Sequence, residues 1–320
     1  MIKITKVILK IFFSNQDAHM FELRQYFLLF LTASIWGSGF IGQKLGMNYV
    51  SPYTFTFIRT FIGAVFLLPF IYMIVKLSKR PNRQKLRFNK RYFILGSICC
   101  GFFLILSESF QQFGLVHTDV NKASFITSLY MVFTPIIGIF LGQKLEFKVV
   151  LAVVLSCVGL YLFCMHGSFT LAWGDLLVLI CALGFAGHIL VIAYFVNHVD
   201  GVILSCGQFF CASFLGFIMM ILDGVPDAHS LYLCLPAVLY CGIMSNGIAY
   251  TLQIIGQRGI NPSIASLIMS LESVMGAIFG VLFLNEHMTS REVTGATLMF
   301  AAVLLTQISF KKFSKRKENQ

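Results

Sequence analysis

Charge is what this chain has least of. Only 12% of its 320 residues are Asp, Glu, Lys or Arg, about half the share usual in a water-soluble domain. Proline (7) and tryptophan (2) are also scarce. The sequence has no His-Glu-x-x-His and no Gly-x-Ser-x-Gly, so the usual marks of an intramembrane or soluble hydrolase are missing. No Gly-x-x-x-x-Gly-Lys-Ser/Thr occurs either, which argues against a nucleotide-driven pump. Nine cysteines are present, and none forms a Cys-x-x-Cys pair. All fall in apolar stretches, which suits small packing residues better than a disulfide framework or a zinc site.

What the chain does have is apolar surface: 58% hydrophobic residues, 34 of them Phe, and a mean hydropathy of +0.83. A helix that crosses the hydrocarbon layer needs roughly 20 residues, so ten of them use about 200–220. Little chain is left for a soluble domain. Apolar runs bounded by charges or turn residues fall at 26–43, 52–75, 92–115, 122–141, 147–165, 173–196, 202–222, 231–255, 262–284 and 290–310. The expected fold is therefore all-α and integral to a membrane, with ten transmembrane helices. The apolar patch Val7–Phe13 is too short to span. Residues 1–25 read as a tail, and Met20 is an alternative start to Met1.

The net charge of +11 is explained by topology. With the N-terminus in the cytoplasm, 20 basic residues fall on the inside and 3 on the outside, a strong positive-inside bias. Both termini are then cytoplasmic. The densest run, Lys76 to Arg91, becomes a loop against anionic headgroups rather than a nucleic-acid surface. No nucleic-acid partner is expected.

The chain also matches itself at an offset of 142. Ala123-Ser124-Phe125-Ile126 aligns with Ala265-Ser266-Leu267-Ile268, Ser128 with Ser270, Gln111 with Gln253, and Gly114 with Gly256. Two halves follow, 26–166 and 173–310, flanked by the tails 1–25 and 311–320. Each holds five spans. An odd number inserts the second half upside down, giving two inverted five-helix repeats, a transporter signature.

Polar groups in hydrocarbon are costly and usually functional. Of 37 charged residues only Arg59, Glu108 and Glu272 lie well inside a span. Helical spacing lines up Thr32, Trp36, Gly39 and Gln43 in the first span, Glu108 with Gln111 and Gln112 in the third, and Ser124 with Ser128 in the fourth. It also lines up Gly184 with His188 in the sixth, Asn246, Tyr250 and Gln253 in the eighth, and Glu272 with Gly276 in the ninth. Such faces line a cavity or pack against neighbouring helices. The candidate substrate-binding set is Trp36, Gln43, Arg59, Glu108, Gln111, Tyr130, His188, Asn246, Tyr250 and Glu272. Arg59 fits an ion pair with Glu108, a clamp on a carboxylate or a side chain snorkelling outward. Glu272 fits a proton carrier, a cation site or a structural hydrogen bond. His188 fits a core histidine or a proton relay. Asp175 and Asp200 read as helix-start residues.

Ala33-Ser34-Ile35-Trp36-Gly37-Ser38-Gly39-Phe40, Ser51-Pro52 with Phe57-Ile58-Arg59, and Leu271-Glu272-Ser273-Val274 with Leu284-Asn285-Glu286-His287-Met288-Thr289 resemble signatures of the EamA family of the drug/metabolite transporter superfamily. The resemblance covers roughly residues 26–310. It implies a central cavity lined by the first, third, fourth, sixth, eighth and ninth spans, no cofactor, and export of amino acids, related metabolites or drugs across the inner (plasma) membrane, with protons as one coupling ion. Three readings stand: a secondary exporter of small amphipathic metabolites, an exporter of cationic lipophilic drugs, and a non-transporting receptor or scaffold.

Overall fold

The computed structural model describes residues 18–78, 87–118, 120–164, 172–284 and 287–307. The first 17 residues, the basic stretch 79–86, Asn285-Glu286 and the tail from 308 lie outside the described residues. Met1, the basic C-terminal tail and part of the last family motif lie among the residues not described.

The described residues fold into helices alone, arranged as ten rods: α1 (Ala18–Gly46), α2 (Pro52–Ser78), α3 (Lys90–His117), α4 (Val120–Ser128) with α5 (Tyr130–Phe140), α6 (Phe147–Cys164), α7 (Trp173–Phe195), α8 (Gly201–Asp223), α9 (Ala228–Tyr240) with a π-helix (Cys241–Tyr250) and α10 (Thr251–Gln257), α11 (Pro262–Met269) with α12 (Glu272–Leu284), and α13 (Ser290–Gln307). Eight rods are long and apolar enough to cross a membrane. The more polar α1 and α13 fall below that mark. The chain is thus a multi-pass helical membrane protein.

The boundaries differ from the sequence expectation in three places. First, α1 begins at Ala18 rather than 26. Hydropathy marks only the part suited to lipid, whereas the backbone ladder continues through Glu22 and Arg24. Second, the fourth and ninth spans are broken, not continuous. At the breaks Leu129 N–H donates to Ile126 O at 3.1 Å and Leu271 N–H to Ile268 O at 3.2 Å. Both are three-residue steps that tighten the helix locally. Leu129 and Leu271 are 142 residues apart, the offset of the sequence self-match. Pro135 has Ala277 as its counterpart, so proline is not what the two breaks share. Third, the middle of the eighth span is a π-helix. Its wider turn changes where Asn246 and Tyr250 point.

Caps set the rod starts. Asn89, Asp200, Asp227 and Asn261 each accept hydrogen bonds from first-turn amides. Asp175 sits at the third helical position of α7 and accepts from Ala172 N–H at 2.7 Å.

Packing pairs the rods across the sequence. The rod α1 lies along α9, the π-helix, α10 and α12, while α7 lies along α3, α4 and α5. Likewise α2 packs on α8, and α6 on α13. Close approach requires glycine at some crossings. A Cβ on Gly159 would stand 2.7 Å from Gly295 O, and one on Gly295 2.5 Å from Gly159 O.

Candidate functional site

The polar faces converge at mid-bundle. From α2, Arg59 reaches Glu108 on α3, with Nη2 3.2 Å from Oε2. The other carboxylate oxygen of Glu108 accepts from Asn246 Nδ2 at 3.3 Å. Arg59 is 1% exposed and Glu108 0%, so this pair is fully removed from solvent. Phe55, one helical turn before Arg59, places its ring 5.7 Å from the guanidinium. The π-helix delivers Asn246 to this pair and turns Tyr250 onto Trp36, ring centroids 4.6 Å apart.

Glu272 stands apart from these charges. It is the first residue of α12, at the break, and is 3% exposed. Ser128 Oγ lies 3.5 Å from its Oε1. Around it Ser124, Ser128 and Ser273 bond one another across the two broken rods, at 2.7 and 3.0 Å. No Lys, Arg or His nitrogen among the described residues lies within 4 Å of the Glu272 carboxylate. Gly37 makes this position possible. A Cβ there would come within 2.5 Å of both Glu272 O and Gly276 N, so α1 and α12 touch backbone to backbone beside the acid.

Between the two acids lies a cavity bounded by Trp36, Phe40, Gln43, Arg59, Gln111, Thr127, Tyr130, Phe185, Ile189, Ser245, Tyr250, Gln253 and Glu272. Seven of the ten predicted residues are on this wall. The other three stand one layer behind it. Glu108 holds Arg59, and Asn246 holds Glu108. His188 Nε2 pairs with Gln208 Oε1 at 3.0 Å, its ring meets that of Tyr250 edge-on, and its Nδ1 is buried without a hydrogen-bond partner. Phe40, Thr127, Phe185, Ile189 and Ser245 are wall residues that the sequence reading did not single out. Their types are those of ordinary packing, so no sequence signal separates them. Gln253 was visible in its stripe. Several wall groups are buried without a hydrogen-bond partner: Trp36 Nε1, Gln43 Oε1 and Gln253 Oε1. Donors and acceptors therefore both face the cavity. Its volume is about 30 Å³, room for one or two waters and far short of a metabolite pocket of several hundred Å³. A metabolite needs the rods to separate.

The two ends of the bundle differ. At one end Lys122 pairs with Asp175, Thr118 Oγ1 donates to Asp175 at 2.6 Å, and Lys44 Nζ donates to the carbonyls of Leu115 and Thr118. This polar knot ties α1, α3, α4 and α7. At the other end the ties run to backbone carbonyls: Gln25 Nε2 donates to Arg258 O at 3.0 Å and Arg87 Nη1 to Asn197 O at 3.0 Å. There a vestibule of about 710 Å³ opens between α5, α7 and the α10–α11 turn.

A ten-rod bundle with a polar, charge-bearing centre defines a class of multi-pass helical membrane proteins. The particular family follows from comparison. The EamA-like transporter family matches residues 23–165 and again 172–308. The chain belongs to this family, and its role is membrane transport of small molecules. It is 30% identical over 283 residues to an uncharacterized transporter of Archaeoglobus fulgidus, covering 88% of this chain and 84% of that one. It is 24% identical over 289 residues to the uncharacterized transporter YoaV of Bacillus subtilis, covering 87% and 94%. A shorter match, 28% over 112 residues, links it to Protein PecM of Dickeya dadantii, covering 35% and 37%. One solved crystal structure has the same fold, with a TM-score of 0.68, 16% identity, and coverage of 88% of this chain and 96% of that one.

Proposed function

We propose that this protein is a secondary transporter that exports small amphipathic metabolites, amino acids or related compounds, across the inner (plasma) membrane by alternating access. The observation that carries this reading is the tight cavity of unpartnered donors and acceptors around Glu272, knotted at one end and adjoining a wide vestibule at the other. The end with the vestibule carries Arg258 and Arg87, so the positive-inside rule puts it and both termini in the cytoplasm. The paired packing of α1 and α7, and the breaks at Leu129 and Leu271, support two inverted repeats, 26–166 and 173–310, that exchange conformations.

Trp36, Tyr130 and Tyr250 give the cargo an apolar face. Gln43, Gln111 and Gln253 give it hydrogen bonds. Glu272 takes its ammonium group, or a coupling proton in exchange. Arg59 is engaged by Glu108, so a carboxylate reaches it only if that pair loosens. Proteoliposomes of the purified chain test the reading: saturable uptake of at least one member of a broad metabolite panel is expected. No saturable flux across the panel would sink it.

A second reading, export of cationic lipophilic compounds, is favoured by the lack of a cationic partner on Glu272. It predicts that Glu272→Gln abolishes flux of monovalent organic cations and spares zwitterions. Equal loss of both classes returns the assignment to the first reading.

A further inference from the structure

Four segments meet at the vestibule end, and three of them bring an arginine. Arg258 sits in the turn between α10 and α11 and is half-buried. Its backbone carbonyl accepts from Gln25 Nε2 on α1 at 3.0 Å, which brings in Arg24, the neighbour of Gln25. Gly259 has φ +75°, and a Cβ there would stand 3.1 Å from the Phe21 ring. The start of α1 therefore seats on this glycine. Arg24 lies over the same ring, 5.1 Å from its centroid. A Cβ on Gly201 would come 2.8 Å from Ile255, which holds the start of α8 against the end of α10. Asp200 N–H donates to Arg87 O at 2.8 Å, and Arg87 Nη1 donates to Asn197 O at 3.0 Å. Arg87 thus joins from the lead-in to α3.

Like charges repel, so such a gathering calls for a countercharge. Asp200 is the acid among them, and its carboxylate caps α8, accepting from Val202 N–H at 3.0 Å. Among the described residues no carboxylate lies within 4 Å of the Arg87 or Arg258 guanidinium. Glu22 is exposed and two positions before Arg24, so it projects from nearly the opposite side of α1. Burial, then Arg87 and Arg24, push the Arg258 guanidinium below the usual arginine range, against the pull of Asp200. Arg87 is exposed and Arg258 half-buried, so an ion from outside reaches both. Beside Asn197, the His198 ring meets those of Tyr92 and Tyr194 at 4.0 and 5.3 Å. Tyrosines at rod ends mark the level of the lipid headgroups.

We propose that Arg24, Arg87 and Arg258 form a binding site for a phosphate-bearing anion, carried by the headgroup of an anionic phospholipid or free in solution. Guanidinium groups suit it, because their planar N–H forks match phosphate oxygens. Basic pockets between spans at headgroup level hold lipid phosphates by the same chemistry. The bound phosphate ties α1, the lead-in to α3 and the α10–α11 turn to one another. At this end the hydrogen bonds Gln25–Arg258 and Arg87–Asn197 run only to backbone carbonyls. The site is independent of the transport reading, since it rests on where the arginines gather and on no cargo.

Thermal melting of the full chain in detergent micelles is the test. One arm adds phosphatidylglycerol or phosphatidylcholine, whose phosphate is neutralised by its choline. The other adds inorganic phosphate or chloride at matched ionic strength. Phosphatidylglycerol is expected to raise the melting temperature at least about 3 °C above phosphatidylcholine. Arg258→Gln and Arg87→Gln each lose most of that rise. Lys144→Gln, which removes an exposed cation at the same end, keeps it. Each rise is taken from the variant's own baseline, so lowered stability does not imitate lost binding. Two arginine variants are used so that one failing to fold leaves the other to decide. A rise with inorganic phosphate alone, lost in the same variants, supports the site with a soluble phosphate as its ligand. No rise with either anion overturns the proposal. So does a rise unchanged in an intact arginine variant, or one lost equally in Lys144→Gln, which would mark a diffuse basic surface.

Discussion

Arg59 and Glu108 show what burial does to an ion pair. Both charges are stripped of water, and their attraction repays that loss only with good geometry and further hydrogen bonds, here from Asn246. Removing one partner strands the other. Arg59→Met is expected to lose about 3–5 kcal/mol of stability, seen as a lower melting temperature in detergent. Arg59→Met with Glu108→Leu is expected to recover most of it. A double variant as unstable as the single changes added together would show that the pair is not coupled. Sequence reasoning brought Arg59 and Glu108 into the candidate set because charge at depth is rare. It left open whether they meet each other or a ligand, since the two lie 49 positions apart on different rods. For Glu272 the same reasoning found the residue, but its isolation from cations depends on which rods surround it.

Glycine at the crossings, the broken rods and the caps act at the level of the element. Gly37 and Gly39 are two residues apart and read alike in sequence. A Cβ on Gly37 meets α12 backbone at 2.5 Å, whereas one on Gly39 has nothing nearer than 3.9 Å. Gly37→Ala is therefore expected to force α1 away from α12, lowering the melting temperature and the flux. Gly39→Ala is expected to be close to neutral in both. Equal effects would remove the case for close packing beside Glu272. The cap at Asp200 accepts from Val202 N–H at 3.0 Å, and Asp200→Ala is expected to cost about 1 kcal/mol, measured by thermal or denaturant unfolding in detergent. Helix existence was readable from apolar runs throughout. The breaks and the π-helix were not, because a tightened or widened turn costs little hydropathy and leaves composition unchanged.

Over the whole molecule, the two ends of the bundle are tied differently. The Lys122–Asp175 pair, with Thr118 and Lys44, ties four rods at one end. At the other end, among the described residues, Gln25 donates to Arg258 O and Arg87 donates to Asn197 O, and no carboxylate–cation pair joins rods there. Asp175→Asn removes the charge and keeps the shape. It is expected to raise, severalfold, the labelling of a Gln43→Cys reporter by an impermeant maleimide added from the Asp175 side. An unchanged rate would show that the knot does not hold that end closed.

Sequence alone determined the class of this protein. Scarce charge and roughly 20-residue apolar runs require helices in lipid, and rarity in hydrocarbon singles out three charged residues. Those properties are local, carried by composition and spacing. Tertiary structure decided which of the three charges are satisfied, which wall residues enclose the cavity, and which end is knotted. Those depend on contacts between rods far apart in the chain. Helical periodicity fixes a side chain's direction on its own rod, but not what stands opposite.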